Sequence, residues 1–142
     1  MNNQIIRPLA ICIFQYDEKI LVAEGYDNVK GDYFYRPVGG GIEYGEKSSD
    51  TLKREVREEI SAEITDIEFL GTIENIFTFN GEVGHEIVQV YDASFEDFSF
   101  YSVDSFEGIE DNGETFKVFW KPKQSFQNNQ LRLVPEALLE LI

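Results

Sequence analysis

The sequence predicts an α/β fold, with a mixed β-sheet held between helices. Three observations carry this. Short apolar and aromatic stretches, separated by turn residues, recur along the chain. Helical spacing appears in the middle and again at the end, so strands and helices share one core. The 142 residues are 42% hydrophobic and 14% aromatic, enough for a packed interior despite a net charge of −15. The length fits one domain spanning residues 1–142.

The elements follow in order. "PLAICIFQYDEKILVAE" predicts a hairpin, with strands Leu9 to Phe14 and Ile20 to Ala23 and a turn near Asp17-Glu18. "YFYRPV", Tyr33 to Val38, reads as a short strand leading into a tight loop at Gly39-Gly40-Gly41. From Ser49 to about Ile60, Leu52, Val56 and Ile60 stand four apart, which predicts a helix capped by Ser48 or Ser49. Ile67 to Phe79 and His85 to Phe95 read as strands around the turn signal Asn80-Gly81. Glu96 to Gly113 is acidic and without period, so it reads as a long loop. Glu114 to Trp120 is a further strand, and "VPEALLELI" closes as a helix with Pro135 in its first turn.

Composition narrows the function classes. The acidity opposes a broad grip on a nucleic acid polymer. It also repels any anionic small substrate unless bound cations reverse the local field. The longest apolar runs are far shorter than a membrane span. "MNNQIIRPLAICIF" lacks the basic start and cleavage site of a secretory signal. The one cysteine, Cys12, lies in an apolar run and reads as a buried strand residue; a cytoplasmic location fits it.

The chemistry concentrates in "VGGGIEYGEKSSDTLKREVREEISAEI", Val38 to Ile64. Glu55, Glu58 and Glu59 fall at i, i+3 and i+4, which places three carboxylates on one helix face. Leu52, Val56 and Ile60 define a second face, turned about 100° away. Unscreened, each exposed like-charge pair costs roughly 0.2–0.5 kcal/mol. Arg54, four residues before Glu58, relieves part of this, and a hard divalent cation would relieve more. Mg²⁺ takes oxygen ligands and is usually held by a few carboxylates together with substrate phosphates. A glycine run lets the backbone approach the carboxylates, and a carbonyl there could serve as a further oxygen ligand.

Gly40, Glu46 and the run Arg54-Glu55-Val56-Arg57-Glu58-Glu59 stand at the separations of G-x5-E-x7-R-E-U-x-E-E-x-G-U, where U is a bulky aliphatic residue. The stretch resembles the Nudix box. Every fixed position through Glu59 matches; Ser61 stands where the family has glycine, and Ala62 where it has the aliphatic residue. Glycine at that exit would allow a left-handed cap, so the departure bears on how the helix ends.

The resemblance implies an α/β/α sandwich and Mg²⁺- or Mn²⁺-dependent hydrolysis of a nucleoside diphosphate linked to another group. It implies Glu58 and Glu59 as principal metal ligands, and Glu55 as a ligand or the base that activates water. The carbonyl near Gly39 or Gly40 would complete a metal shell, and Arg54 would orient the carboxylates, Glu46 included. Some members of the family place a glutamate outside the box near the metals; Glu114 and Glu86 are the candidates here. Related proteins are often homodimers.

Arg36 precedes the glycines and could clamp a phosphate through its planar fork. Tyr33, Phe34, Tyr35 and Phe77 could stack on a base, and His85 is the chain's one histidine. The expected partner is a nucleotide-derived small molecule. The alternative is a non-catalytic nucleotide-sensing or protein-binding module on the same fold, for which the acidic segment Glu96 to Gly113 is the best surface.

Overall fold

The structure, a computed structural model, describes residues 4–142. Met1 to Asn3, the start of the stretch read against a leader, lie outside the described residues. Two sheets organise the chain. The first is mixed and has the order β5 (Val38–Gly41), β1 (Arg7–Cys12), β7 (Glu82–Phe95), β6 (Ile64–Phe79), with β1 and β7 parallel. The second is antiparallel and orders β2 (Gln15–Tyr16), β3 (Lys19–Asp27), β9 (Thr115–Pro122) and β8 (Ser105–Ile109), with β4 (Asp32–Arg36) also on β3.

Core lies on both faces of this sheet layer. Along β1, Ala10 and Cys12 join Leu52, Val56 and Ile60 of helix α1 (Ser48–Ile60). Ile11 turns the other way, toward Phe126 of the short helix α2 (Lys123–Gln127), Leu133 and Leu138. Period-2 alternation along the strand thus feeds two cores. The result is a mixed α/β architecture with helical segments on either side. Among the described residues, no helix is long and apolar enough to cross a membrane.

Several expectations need correction. Residues 9–14 and 20–23 do not form one hairpin: β1 pairs with β5 and β7, while β3 pairs with β2 across the expected Asp17-Glu18 turn. Both turn residues have positive φ, 51° and 60°, the geometry that matches strand twist in a two-residue hairpin. The three glycines are no loop. They form most of β5, which pairs antiparallel with β1 and comes nearest to it at Gly39. At Gly39 a Cβ would stand 2.1 Å from the Ala10 carbonyl oxygen.

Residues 96–113 contain a 3₁₀ turn, Phe98–Tyr101, and strand β8. β8 is held by β9 rather than by its own pattern. The C-terminal helix is a 3₁₀ turn, Glu136–Glu140, with Pro135 at its N-cap rather than inside its first turn. Three phenylalanines lie flat on glycines of the facing strand: Phe34 on Gly25, Phe77 on Gly84 and Phe116 on Gly108. A Cβ on any of these glycines would meet its ring at 2.3 to 2.4 Å.

Helix α1 buries Leu52, Val56 and Ile60 as its spacing predicts. Each such side chain contributes roughly 1.5–3 kcal/mol. Neither serine caps its start. Lys47 is the N-cap and lends no side-chain bond, while the Ser48 hydroxyl meets that of Tyr91. The exit is resolved at Ser61, which adopts the left-handed conformation (φ 55°, ψ 37°) while its amide bonds the Arg57 carbonyl. Arg57 also grips Glu63 with two bonds, 2.7 and 2.8 Å, across the turn. Ser61 therefore does a glycine's work at a cost of about 1 kcal/mol. Ser61→Gly is expected to raise stability by about 0.5–1 kcal/mol, part of the gain being offset by the freer unfolded chain. Urea unfolding measures it; a destabilised variant would contradict this account of the exit.

Candidate functional site

The site forms where α1 lies against β5. The helix sets Glu55 against Gly40, and Glu58 and Glu59 lie near enough to Glu55 for their charges to interact. Arg54 is the hub. Its Nε and Nη2 donate to Glu46 at 2.8 and 3.0 Å, and Nη2 also reaches the Gly41 carbonyl at 3.1 Å. Nη1 donates to Glu55 at 2.9 Å and to Glu58 at 3.3 Å. Thr51, fully buried, donates to Glu46 at 2.6 Å. Arg54 first, then Thr51, hold the Glu46 carboxyl down at about 2. Glu46 is therefore an anchor for Arg54 and stays ionised across the neutral range.

Glu55 is buried, and its carboxylate fills the space above Gly40. A Cβ there would lie 2.4 Å from the Glu55 carboxyl carbon and 2.6 and 2.7 Å from its two oxygens. Burial pushes the Glu55 carboxyl up, Arg54 opposes this, and the charges of Glu58 and Asp111 add to the rise. Glu59 is more extreme. Its Oε1 is buried with no hydrogen-bond partner. Burial pushes its carboxyl up to about 8; Arg36 opposes, and Glu55, Glu110 and Asp111 reinforce.

Those neighbours show what the fold adds. Glu110 and Asp111 come from the turn between β8 and β9, inside the segment read as a loop, and their charges act on the helix carboxylates. Glu114 is not among these groups. It is exposed at the base of the same turn, where its amide donates to Asn112 Oδ1 and its carbonyl accepts from the Glu110 amide. Glu86 is engaged on the β6–β7 hairpin by Asn75 and Arg7, and His85 lies opposite Ile76 there. Arg36 does reach the site: its Nη2 is 3.8 Å from Glu110. The only sequence signal for Glu110 and Asp111 was acidity, which does not mark position.

The aromatic candidates divide. Tyr35 is buried and bonds Glu24 through its hydroxyl. Phe34 and Phe77 cover glycines. Tyr33 alone among the four is largely exposed, edge-on to Tyr26.

The donor set suits a hard divalent cation. A buried carboxylate oxygen without a partner, a second carboxylate in a glycine cradle and two further acids nearby are oxygen donors short of positive charge. Among the described residues, no three His, Cys, Asp or Glu side chains converge into a closed metal cluster. Arg54 already engages Glu55 and Glu58. An open set of this kind matches an ion that keeps several waters and shares its shell with substrate phosphates.

Comparison with known proteins agrees with this fold. The NUDIX domain family matches residues 6–140. The NAD-capped RNA hydrolase NudC of Pseudomonas putida (strain W619) is 37% identical over 67 residues, covering 47% of this chain and 24% of that protein. The match thus spans about a quarter of the relative's length. A MutT NUDIX hydrolase from Burkholderia pseudomallei has a TM-score of 0.63 at 18% identity, covering 85% of this chain and 86% of that one. A NUDIX hydrolase from Nitrosomonas europaea gives 0.61 at 15% identity, covering 94% and 84%. At such identities the two structures speak to the fold alone, and the match over residues 6–140 speaks to descent. The chain belongs to the Nudix hydrolase family.

Proposed function

We propose that this chain hydrolyses the diphosphate linkage of a nucleoside diphosphate derivative, with Mg²⁺ or Mn²⁺ as cofactor. The observation that carries the proposal is the unpartnered, buried Glu59 oxygen beside Glu55 in its glycine cradle. A buried, unpartnered carboxylate costs stability that a bound cation would return.

Glu58 and Glu59 would hold the cation, with Glu55 as a further ligand or as the acceptor of the attacking water's proton. The Glu55 carboxylate packs against Gly40, whose strand would lend a backbone carbonyl to the shell. Arg54, fixed by Glu46, sets the aim of Glu55 and Glu58. Glu110 and Asp111, whose charges act on Glu59, would serve outside the box in the role considered for Glu114. Arg36 faces the same site and binds a phosphate oxygen of the substrate. When bound, the cation neutralises phosphate charge, lowers the pKa of water and stabilises the leaving oxygen.

The net charge of −15 favours a small nucleotide over a polymer. The test is a panel of nucleoside triphosphates, sugar nucleotides, ADP-ribose and dinucleoside polyphosphates with Mg²⁺ or Mn²⁺. An NAD-capped RNA belongs in it, since the Pseudomonas putida relative is named for that substrate. Hydrolysis that requires the divalent ion is expected for at least one compound. Mn²⁺ is also expected to raise the melting temperature, because it binds only the folded site; at a hundred times its Kd the gain is about 2.7 kcal/mol. Absence of both effects would overturn the proposal.

A further inference from the structure

The two guanidinium groups of the site are in opposite situations. Arg54 is saturated by Glu46, Glu55, Glu58 and the Gly41 carbonyl. Arg36 carries five N–H donors, yet among the described residues its one ion pair is the 3.8 Å contact with Glu110. Both side chains of that pair are about two-fifths exposed (41% and 40%). An ion pair so long and so exposed is worth at most about 1 kcal/mol. Arg36 also supplies the positive charge that acts on Glu59, while Glu110 supplies a negative one.

A divalent cation placed against Glu59 must change this balance. It repels Arg36 and attracts Glu110, so it pulls the two partners in opposite directions. Glu110 gains a stronger counter-ion than the one it leaves. Arg36 loses its partner while it stays near enough to Glu59 for its charge to act there. Arg54 cannot respond in this way, because four acceptors hold it.

We propose that Glu110 is a positioning residue that parks Arg36 in the metal-free site, and that cation binding breaks this pair and frees Arg36 for the substrate's phosphate. The inference rests on the hydrolase reading above. It couples the two ligands: whatever the cation does for phosphate binding through Arg36, phosphate does for cation binding by the same factor.

The test is a double-mutant cycle read by Mn²⁺ binding to the intact protein, by calorimetry, with no nucleotide present. Arg36→Gln removes a repelling charge and is expected to tighten Mn²⁺ about fivefold. Glu110→Gln is expected to weaken it. The double variant should bind about threefold more weakly than the product of the single effects, since the pair can be removed only once. Arg36→Lys, which keeps the charge, should stay near wild type and so separates charge from packing. AMP supplies the second arm, having a phosphate and little tendency to chelate. Mn²⁺ should strengthen AMP binding to wild type, and Arg36→Gln should lose most of that gain. Multiplicative single effects, an unchanged Mn²⁺ affinity in Arg36→Gln, or a full AMP gain without Arg36 would each overturn the inference and leave the hydrolase reading standing. A wild-type protein that takes up no Mn²⁺ at millimolar concentration and hydrolyses nothing in the panel with either ion would remove both.

Discussion

Glu59→Gln is expected to cut hydrolysis by about a thousandfold, the several kcal/mol that a correctly held cation supplies, while making the metal-free protein more stable. The second half separates a metal-site glutamate from a structural one. In the folded, metal-free protein the Glu59 carboxyl sits at about 8, above its ordinary 4.5, chiefly through burial. A raised folded value means the folded state holds the proton more tightly than the unfolded chain. The stability this contributes is complete below about 4.5 and is lost as pH rises through about 8, a change of a few kcal/mol. In EDTA, wild type should therefore melt progressively lower between pH 5 and pH 8. Glutamine has no proton to lose, so the variant's melting temperature should fall less over that interval and lie above wild type at pH 8. With Mn²⁺ the order reverses, because only wild type gains the ion. Binding should also release protons near pH 7, visible as a dependence of calorimetric heat on buffer. A variant with full activity, or one with the wild-type pH slope in EDTA, would contradict the assignment.

Gly40→Ala should lose activity and keep its fold. The added methyl would occupy the place of the Glu55 carboxyl group, 2.4 Å from its carbon. That group ends a flexible side chain, so it can swing aside, and the stability cost should stay near 1 kcal/mol. Its aim cannot survive the move. A displacement of about 1 Å in a positioned group can cost a hundredfold in rate, and a loss of that order in kcat is expected. Gly39→Ala provides the contrast. There the methyl would meet the Ala10 backbone oxygen at 2.1 Å, at φ 156°. Backbone in a sheet cannot step aside, so Gly39→Ala should fail to fold stably. Two adjacent glycines would thus fail differently, one by kinetics and one by melting. If Gly40→Ala kept full kcat, the glycine cradle would have no part in setting the catalytic geometry.

Much of the site was legible because its logic is local. Helix spacing fixes the common face of Glu55, Glu58 and Glu59, and Leu52, Val56 and Ile60 fix which side is buried. What escaped depends on distant partners. Glycines are poor strand formers, and Val38–Gly41 is a strand because it pairs with β1, which leaves no room for a side chain at Gly39. Residues 105–109 show no clear alternation, and β9 makes them a strand. Through that pairing the charges of Glu110 and Asp111 act on the box, whereas Glu114, which begins a clearer pattern, is exposed at the base of the turn. The first hairpin was misread for a related reason. Two apolar runs flanking a turn pair by default, yet β1 leaves for a parallel partner 79 positions away, Arg7 facing Glu86.

The rings lying on Gly25, Gly84 and Gly108 have a consequence for inheritance. In each pair neither member can change size alone: a methyl on the glycine strikes the ring, and a small residue in place of the phenylalanine leaves a bare groove across the sheet. A lineage must replace both or neither. Each pair should therefore behave as one hereditary unit, and in descendants of this chain a larger residue at 25, 84 or 108 should be accompanied by a smaller one at 34, 77 or 116.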